Sequence, residues 1–153
     1  MANTNQFCTF YLDKFFLGVE VLKVQEVIRY QAMTRVPLAQ AVVKGLINLR
    51  GQIVTAIDLR RRLELPDRPE GQLPMNVVIR TEEGTVSFLV DEIGDVLEAQ
   101  EDQFEAPPET VRGVSRELIR GVYKMKDRLL LILDTEKTIG LDGGIETGEK
   151  RAA

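Results

Sequence analysis

A few side chains in this 153-residue sequence could do chemistry by type and spacing. Asp91, Glu92 and Asp95 are carboxylates near the end of an apolar, strand-like run. Acid–base catalysis would need two of them at a defined separation in a pocket. No pocket motif accompanies them, and charge runs usually face water. Arg60, Arg61 and Arg62 form a basic triplet that could meet a phosphate or a carboxylate-rich partner, but a solvated face is the plainer reading. Cys8 alternates with Phe10 and Leu12, a spacing that suits packing better than reaction. Gly143 and Gly148 have the spacing of a phosphate loop, yet Glu149 follows where Lys belongs and no strand precedes, so a flexible tail is expected over 142–153. The chain has no His, which removes Ser-His-Asp and Cys-His catalysis and imidazole metal ligation. With one Cys, neither an intrachain disulfide nor an all-Cys zinc site can form. These residues argue against an enzyme and call for no cofactor or metal; a small carboxylate enzyme using Asp91 with Glu92 or Asp95 stays as the alternative of another class.

Asn48-Leu49-Arg50-Gly51 is a different kind of signal. Apolar runs at 46–49 and 53–57 flank it, which places Arg50 and Gly51 at a tight hairpin where Gly supplies a positive φ at little cost. The corresponding turn in the second half of the chain carries Lys126-Asp127, so the turn alone does not demand Arg-Gly. An Arg fixed there presents a planar five-donor fork, and Arg is a preferred interface anchor. The competing reading is a structural turn with a solvated Arg.

The elements that must hold these residues are mainly strands. Residues 7–12 and 15–21 read as a hairpin around Asp13-Lys14, and 22–28 as one helical turn or a twisted strand. Residues 34–38 are extended before Pro37, and 39–44 suit a short helix ending at Gly45. Asp58 is placed to cap a short helix over 59–63. Residues 65–74 hold three of the six prolines and read as a connector. A hairpin over 76–80 and 85–90 follows, then an acidic loop with little regular structure over 98–109. Runs at 118–125 and 129–133 flank a last turn, and Asp134 caps a short helix through Ile139.

The two halves repeat each other. Gly45-LINLRGQIVTAIDLRRRLEL aligns without a gap on Gly121-VYKMKDRLLLILDTEKTIGL, matching Gly45 with Gly121 and Asp58 with Asp134. Upstream, Val19, Val21, Val24, Val27 and Ile28 fall on Phe88, Val90, Ile93, Val96 and Leu97. The expected fold is therefore all-β with short helices: two five-stranded β-barrel subdomains, which remove exposed strand edges that one ten-stranded sheet would leave. Their approximate bounds are 7–65, with a C-terminal return possible, and 75–141. A chain of this length buries roughly 70% of its unfolded surface, enough for one core. The net charge of −4 offers no basic excess for nucleic acid or an anionic membrane. The N-terminus lacks a signal-peptide pattern, and the longest compact apolar run, 129–133, is far too short to span a bilayer. A cytosolic protein with no membrane insertion is expected.

Four motifs in order carry a family resemblance: Lys23-Val-Gln-Glu-Val-Ile28, Gly45-Leu-Ile-Asn-Leu-Arg-Gly51, Ile57-Asp58-Leu59 and Phe88-Leu-Val-Asp91. Over about 7–141 the chain resembles CheW, the bacterial chemotaxis coupling family. Thr55 departs from the Pro that many relatives carry after the Asn-Leu-Arg-Gly hairpin. The resemblance implies two SH3-like barrels side by side in a single CheW-like domain, 1–153, and a non-enzymatic adaptor. Its partners would be the regulatory domain of the histidine kinase CheA and the cytoplasmic tips of methyl-accepting chemoreceptors. It would sit in the cytoplasm, recruited to membrane-associated arrays. The implied receptor groove maps to Val21, Val24, Glu26, Val27, Arg50, Val90 and Ile93, and the implied kinase interface to Val36, Asn48, Arg50 and Gly51. A coupling protein of a pilus-motility or surface-sensing array is the alternative within the same fold.

Overall fold

The computed structural model describes residues 4–82, 84–109, 111 and 115–140. Leu141, the tail 142–153 and its Gly143–Gly148 motif lie outside them. The first hairpin is β1 (Thr4–Leu12) and β2 (Phe15–Glu20); a 3-10 turn, Val21–Lys23, leads to β3 (Val24–Ile28). A second hairpin, β4 (Val43–Leu49) and β5 (Gln52–Asp58), runs into helix α1 (Leu59–Arg62). The other half follows as β6 (Met75–Thr81), β7 (Gly84–Val90), β8 (Glu92–Gln100), β9 (Ile119–Lys124), β10 (Leu129–Leu133) and α2 (Thr135–Ile139).

The strands form two five-stranded sheets, ordered β8-β1-β2-β10-β9 and β3-β6-β7-β5-β4. The orders are the same under the sequence repeat. In each, the second strand of an N-terminal hairpin pairs in parallel with the last strand of the unit: Leu131 opposite Leu17 on β10 and β2, Thr55 opposite Val86 on β5 and β7. The two SH3-like units expected from the sequence are present, but their membership differs from the expected 7–65 and 75–141. Each repeat gives its first hairpin to one sheet and its last three strands to the other, so β1 and β2 join β8, β9 and β10. The C-terminal return is thus the rule for one unit, and β3, β4 and β5 cross to pair with β6 and β7. The repeat alignment could not reveal this exchange, because equivalent strands occupy equivalent places whichever copy supplies them.

Alternation explains the core. On β7, Val86, Phe88 and Val90 face one way and Leu89 the other; on β10, Leu131 and Leu133 oppose Leu130 and Ile132. The inner faces of both sheets meet in one cluster that includes Phe10, Leu17 and Val19 of one and Ile57, Ile79 and Phe88 of the other. The outer faces carry two smaller clusters, around Phe7, Phe16 and Tyr123 and around Ile47, Val54 and Leu89. Strands buried on both faces read as continuous apolar runs, which is why Leu129–Leu133 shows no polar position.

Asp58 and Asp134 cap their helices as expected, accepting from Arg61 N at 3.3 Å and Lys137 N at 2.9 Å. Two expectations fail. Residues 39–44 are not helical: Val42 O accepts from Asp58 N at 2.7 Å and Val43 opens β4, so β-branched pairing overrides the helical spacing. Residues 98–109 are not simply loop, since β8 extends to Gln100, opposite Thr4. Its carboxylates disguise it: Glu92, Asp95 and Glu98 are exposed on the edge strand, where charge blocks further pairing.

Candidate functional site

Arg50 and Gly51 have φ of 51° and 89°, the two positive values that a two-residue type I′ hairpin turn requires. Asn48 completes the turn by accepting from Gly51 N at 2.9 Å through Oδ1. Asn48 and Gly51 therefore have a local reason to be there. Arg50 does not: its side chain is 73% exposed and pairs with Glu26 on β3 through Nη2 and Oε2. β3 and β4 are the two edges of one sheet, so this ion pair joins the edges at the rim. An exposed pair of this kind contributes about 1 kcal/mol or less.

The apolar residues expected around it divide by burial. Val24 and Ile93 are partly buried against the shared cluster, on the edge strands of different sheets. Val21, in the 3-10 turn, is half-buried, and Val27 is 37% exposed. Val90 is a correction. It is 0% exposed, because it continues the inward-facing series of Val86 and Phe88, and it offers no surface to a partner. The sequence reading missed Leu22 and Val96, exposed by 86% and 58%. Val96 was within reach, since it is the repeat equivalent of Val27. Val36 lines a surface cavity of about 720 Å³ with Arg35, Leu38, Lys44 and Arg61, and none of Asn48, Arg50 and Gly51 is among its lining residues.

The carboxylates are not arranged as an acid–base pair. The Asp91 side chain is only 8% exposed and accepts from Arg60 Nε at 3.0 Å, Arg68 Nε at 3.0 Å and Asp13 N at 2.8 Å. Burial alone would raise its pKa, but the hydrogen bonds from Arg60 and the Asp13 amide and the charges of Arg68 and Arg60 hold it below the ordinary carboxylate range. It is a fixed anion. Glu92 and Asp95 are exposed. The Arg triplet is not a solvated face. Arg60 is 6% exposed, Arg61 pairs with Asp58 and Asp67, and Arg62 donates to Thr138 O at 2.7 Å and Lys137 O at 2.9 Å on α2. Burial pushes the Cys8 thiol above its usual range, away from a thiolate at neutral pH. Among the described residues no three His, Cys, Asp or Glu side chains could hold a metal ion, and no helix is long and apolar enough to cross a membrane.

What is left as surface chemistry is the Arg50–Glu26 ion pair at one rim and, on the opposite face of β3 and on β8, half-buried or exposed apolar side chains, groups suited to binding rather than turnover. Comparison with known proteins agrees in kind. The CheW-like domain family matches residues 6–142. The chemotaxis protein CheW of Bacillus subtilis is 33% identical over 122 residues, covering 80% of this chain and 78% of that protein. CheW of Klebsiella aerogenes is 31% identical over 134 residues, covering 88% and 81%. CheW of Treponema pallidum is 28% identical over 136 residues, covering 86% and 80%. The crystal structure of the scaffolding protein TtCheW from Thermoanaerobacter tengcongensis superposes with a TM-score of 0.82 at 23% identity, covering 94% of this chain and 92% of that one.

Proposed function

The chain belongs to the CheW-like domain family, and from that premise we propose that it is the adaptor between a histidine kinase of the CheA type and the cytoplasmic tips of methyl-accepting chemoreceptors. A chemotaxis coupling role follows from the family; the two named partners are the proposal. The observation that carries it is a set of apolar side chains that the core leaves exposed, Leu22, Val27 and Val96, with the Glu26–Arg50 pair on the opposite face of β3 from Val27. Leu22 in the 3-10 turn, Val24 and Val27 on β3 and Ile93 and Val96 on β8 offer exposed or half-buried apolar surface. An amphipathic helical hairpin buries its apolar face against such a surface, and a polar rim sets its register. The receptor contact then consists of Val21, Val24, Glu26, Val27, Arg50 and Ile93, extended by Leu22 and Val96. The kinase would take the surface at Val36, together with the hairpin of Asn48, Arg50 and Gly51. The protein works in the cytoplasm and reaches the membrane only through its receptors.

The test is a titration of a receptor-tip helical hairpin against the wild-type chain and Leu22→Asp. Leu22 is 86% exposed, so the substitution leaves the fold intact. The proposal expects at least tenfold weaker binding. Equal affinity of the two proteins would refute the receptor surface.

A further inference from the structure

The repeat makes two crossovers in this fold directly comparable. The chain leaves one sheet for the other between β2 and β3 and again between β7 and β8. Val90 aligns with Val21 and Ile93 with Val24, so Asp91 stands where the first crossover has Leu22.

The two positions are held in opposite ways. The side chains of Arg60, Asp91 and Arg68 are 7%, 8% and 10% exposed. Asp91 takes both Nε and Nη2 of Arg60 on its two oxygens, a bidentate pairing, and Arg68 approaches Oδ1 from the connector. Arg60 also donates through Nη1 to Pro66 O at 3.0 Å and Asp67 O at 3.3 Å, which fastens that connector. Asp91 N donates to Tyr11 O at 3.0 Å, and Asp13 N returns the link to Oδ2. One carboxylate thus ties α1, the connector and the β1–β2 turn to the start of β8. Opening it would leave two guanidinium groups buried without their anion, a costly state. Arg68 Nη2 already lacks a well-aimed acceptor, although it lies 3.0 Å from Asp91 Oδ1.

At the other crossover no residue of Val21–Lys23 is buried, and Leu22 is 86% exposed. The side-chain ties there are long or exposed: Lys23 Nζ to Thr135 Oγ1 at 3.4 Å, Arg80 Nη2 to Leu22 O at 3.5 Å, and Glu20 with Arg120 at side-chain exposures of 35% and 46%. Contacts at that distance and exposure weigh little.

We infer that the Arg60–Asp91–Arg68 cluster is a clamp: it fixes the β7–β8 crossover as a pivot and leaves the β2–β3 crossover as the yielding one. A partner seated on both edge strands then displaces β3 and its 3-10 turn while β8 stays in place. Asp91, Arg60 and Arg68 are positioning residues for Ile93, whereas Val24 rides on the adjustable side. The partner clause rests on the adaptor reading; the clamp itself does not.

Hydrogen exchange of the full chain, read by mass spectrometry on peptides covering 20–28 and 88–96, tests both parts. In the wild-type protein, residues 21–27 should exchange at least tenfold faster than 90–96. Arg68→Ala keeps the Arg60–Asp91 pair and should accelerate 90–96 severalfold, and Asp91→Asn should do so tenfold or more, with 21–27 unchanged in both. Adding the receptor-tip hairpin should slow exchange at 21–27 alone. Equal exchange at the two crossovers in the wild type would overturn the inference, as would variants that leave 90–96 protected or accelerate every peptide alike. If the hairpin fails to bind while the selective acceleration is seen, the adaptor reading falls and the clamp stands.

Discussion

Replacing Gly121 by Ala should unlatch the segment that follows β8. A Cβ built at Gly121 would stand 2.2 Å from Phe104 Cζ and 2.6 Å from Glu105 O, far inside van der Waals contact. The backbone oxygen cannot rotate away, so residues 104 and 105 must move. What they lose is on view. Phe104 packs on Tyr123 with ring centroids 5.2 Å apart, a contact of about 0.5–1.5 kcal/mol. Glu105 and Val122 exchange two backbone hydrogen bonds at 2.9 and 2.8 Å, each of about 0.5–1.5 kcal/mol net. The sum is roughly 2–4 kcal/mol, or about 5–15 °C in Tm for a domain of this size. The repeat supplies a control: at Gly45 the Cβ would meet Thr34 O at 2.7 Å, and Thr34 and Leu46 exchange the same pair of bonds. Gly45→Ala should therefore cost a similar amount without the aromatic part. Denaturant unfolding of both variants measures this. A loss below about 0.5 kcal/mol in Gly121→Ala would refute the reasoning, because it would mean that the close approach is not needed.

Further outcomes follow from burial and backbone geometry. Val90→Asp should unfold the chain, since a buried unpaired carboxylate costs several kcal/mol against a total of about 5–15, while Ile93→Asp should remain folded and lose partner binding; thermal melts and a binding titration separate them. Gly51→Val should destabilise by about 1–3 kcal/mol by chemical denaturation, because a β-branched residue is placed at φ 89° in open space where only the backbone objects. The folded-state pKa of Asp91 is lowered, so its stabilisation is full above the unfolded value near pH 4 and is lost as pH falls through the folded value. Asp91→Asn should therefore be less stable at pH 7 and lose less stability than the wild type on acidification below about pH 4, read from urea midpoints against pH.

Much of the fold was legible because local chemistry and the repeat agreed. The Asp58 and Asp134 caps, the Arg50–Gly51 turn and the apolar runs of β5 and β10 each announce themselves in a few residues. Three things were not legible for physical reasons. The exchange of hairpins leaves no local trace, because it concerns which copy of a motif a strand meets. The acidic outer face of β8 resembles a loop until its partner β1 is known. Val90 and Ile93 lie three residues apart in similar company, yet Val90 is fully buried in the shared cluster and Ile93 is half-buried at its margin, on an edge strand beyond the crossover at Asp91. At the candidate site, the family resemblance named Glu26 and Arg50 but not their ion pair, which, like the exposure of Leu22 and the burial of Arg60, was visible only in three dimensions.

The adaptor account is tested most directly by reconstituting the chain with a CheA-type kinase and receptor-containing membranes and measuring kinase activation. Arg50→Glu sets two carboxylates against each other at the β3–β4 rim, and Glu26→Arg with Arg50→Glu restores a pair of reversed sense. The account predicts folded proteins throughout, loss of coupled kinase activity on the order of tenfold or more in Arg50→Glu, and no recovery in the reversed pair, because a partner reads the charge of Arg50 itself. Full activity in the reversed pair, or wild-type activity in folded Arg50→Glu, would contradict it and return Arg50 to a rim contact that serves the fold alone.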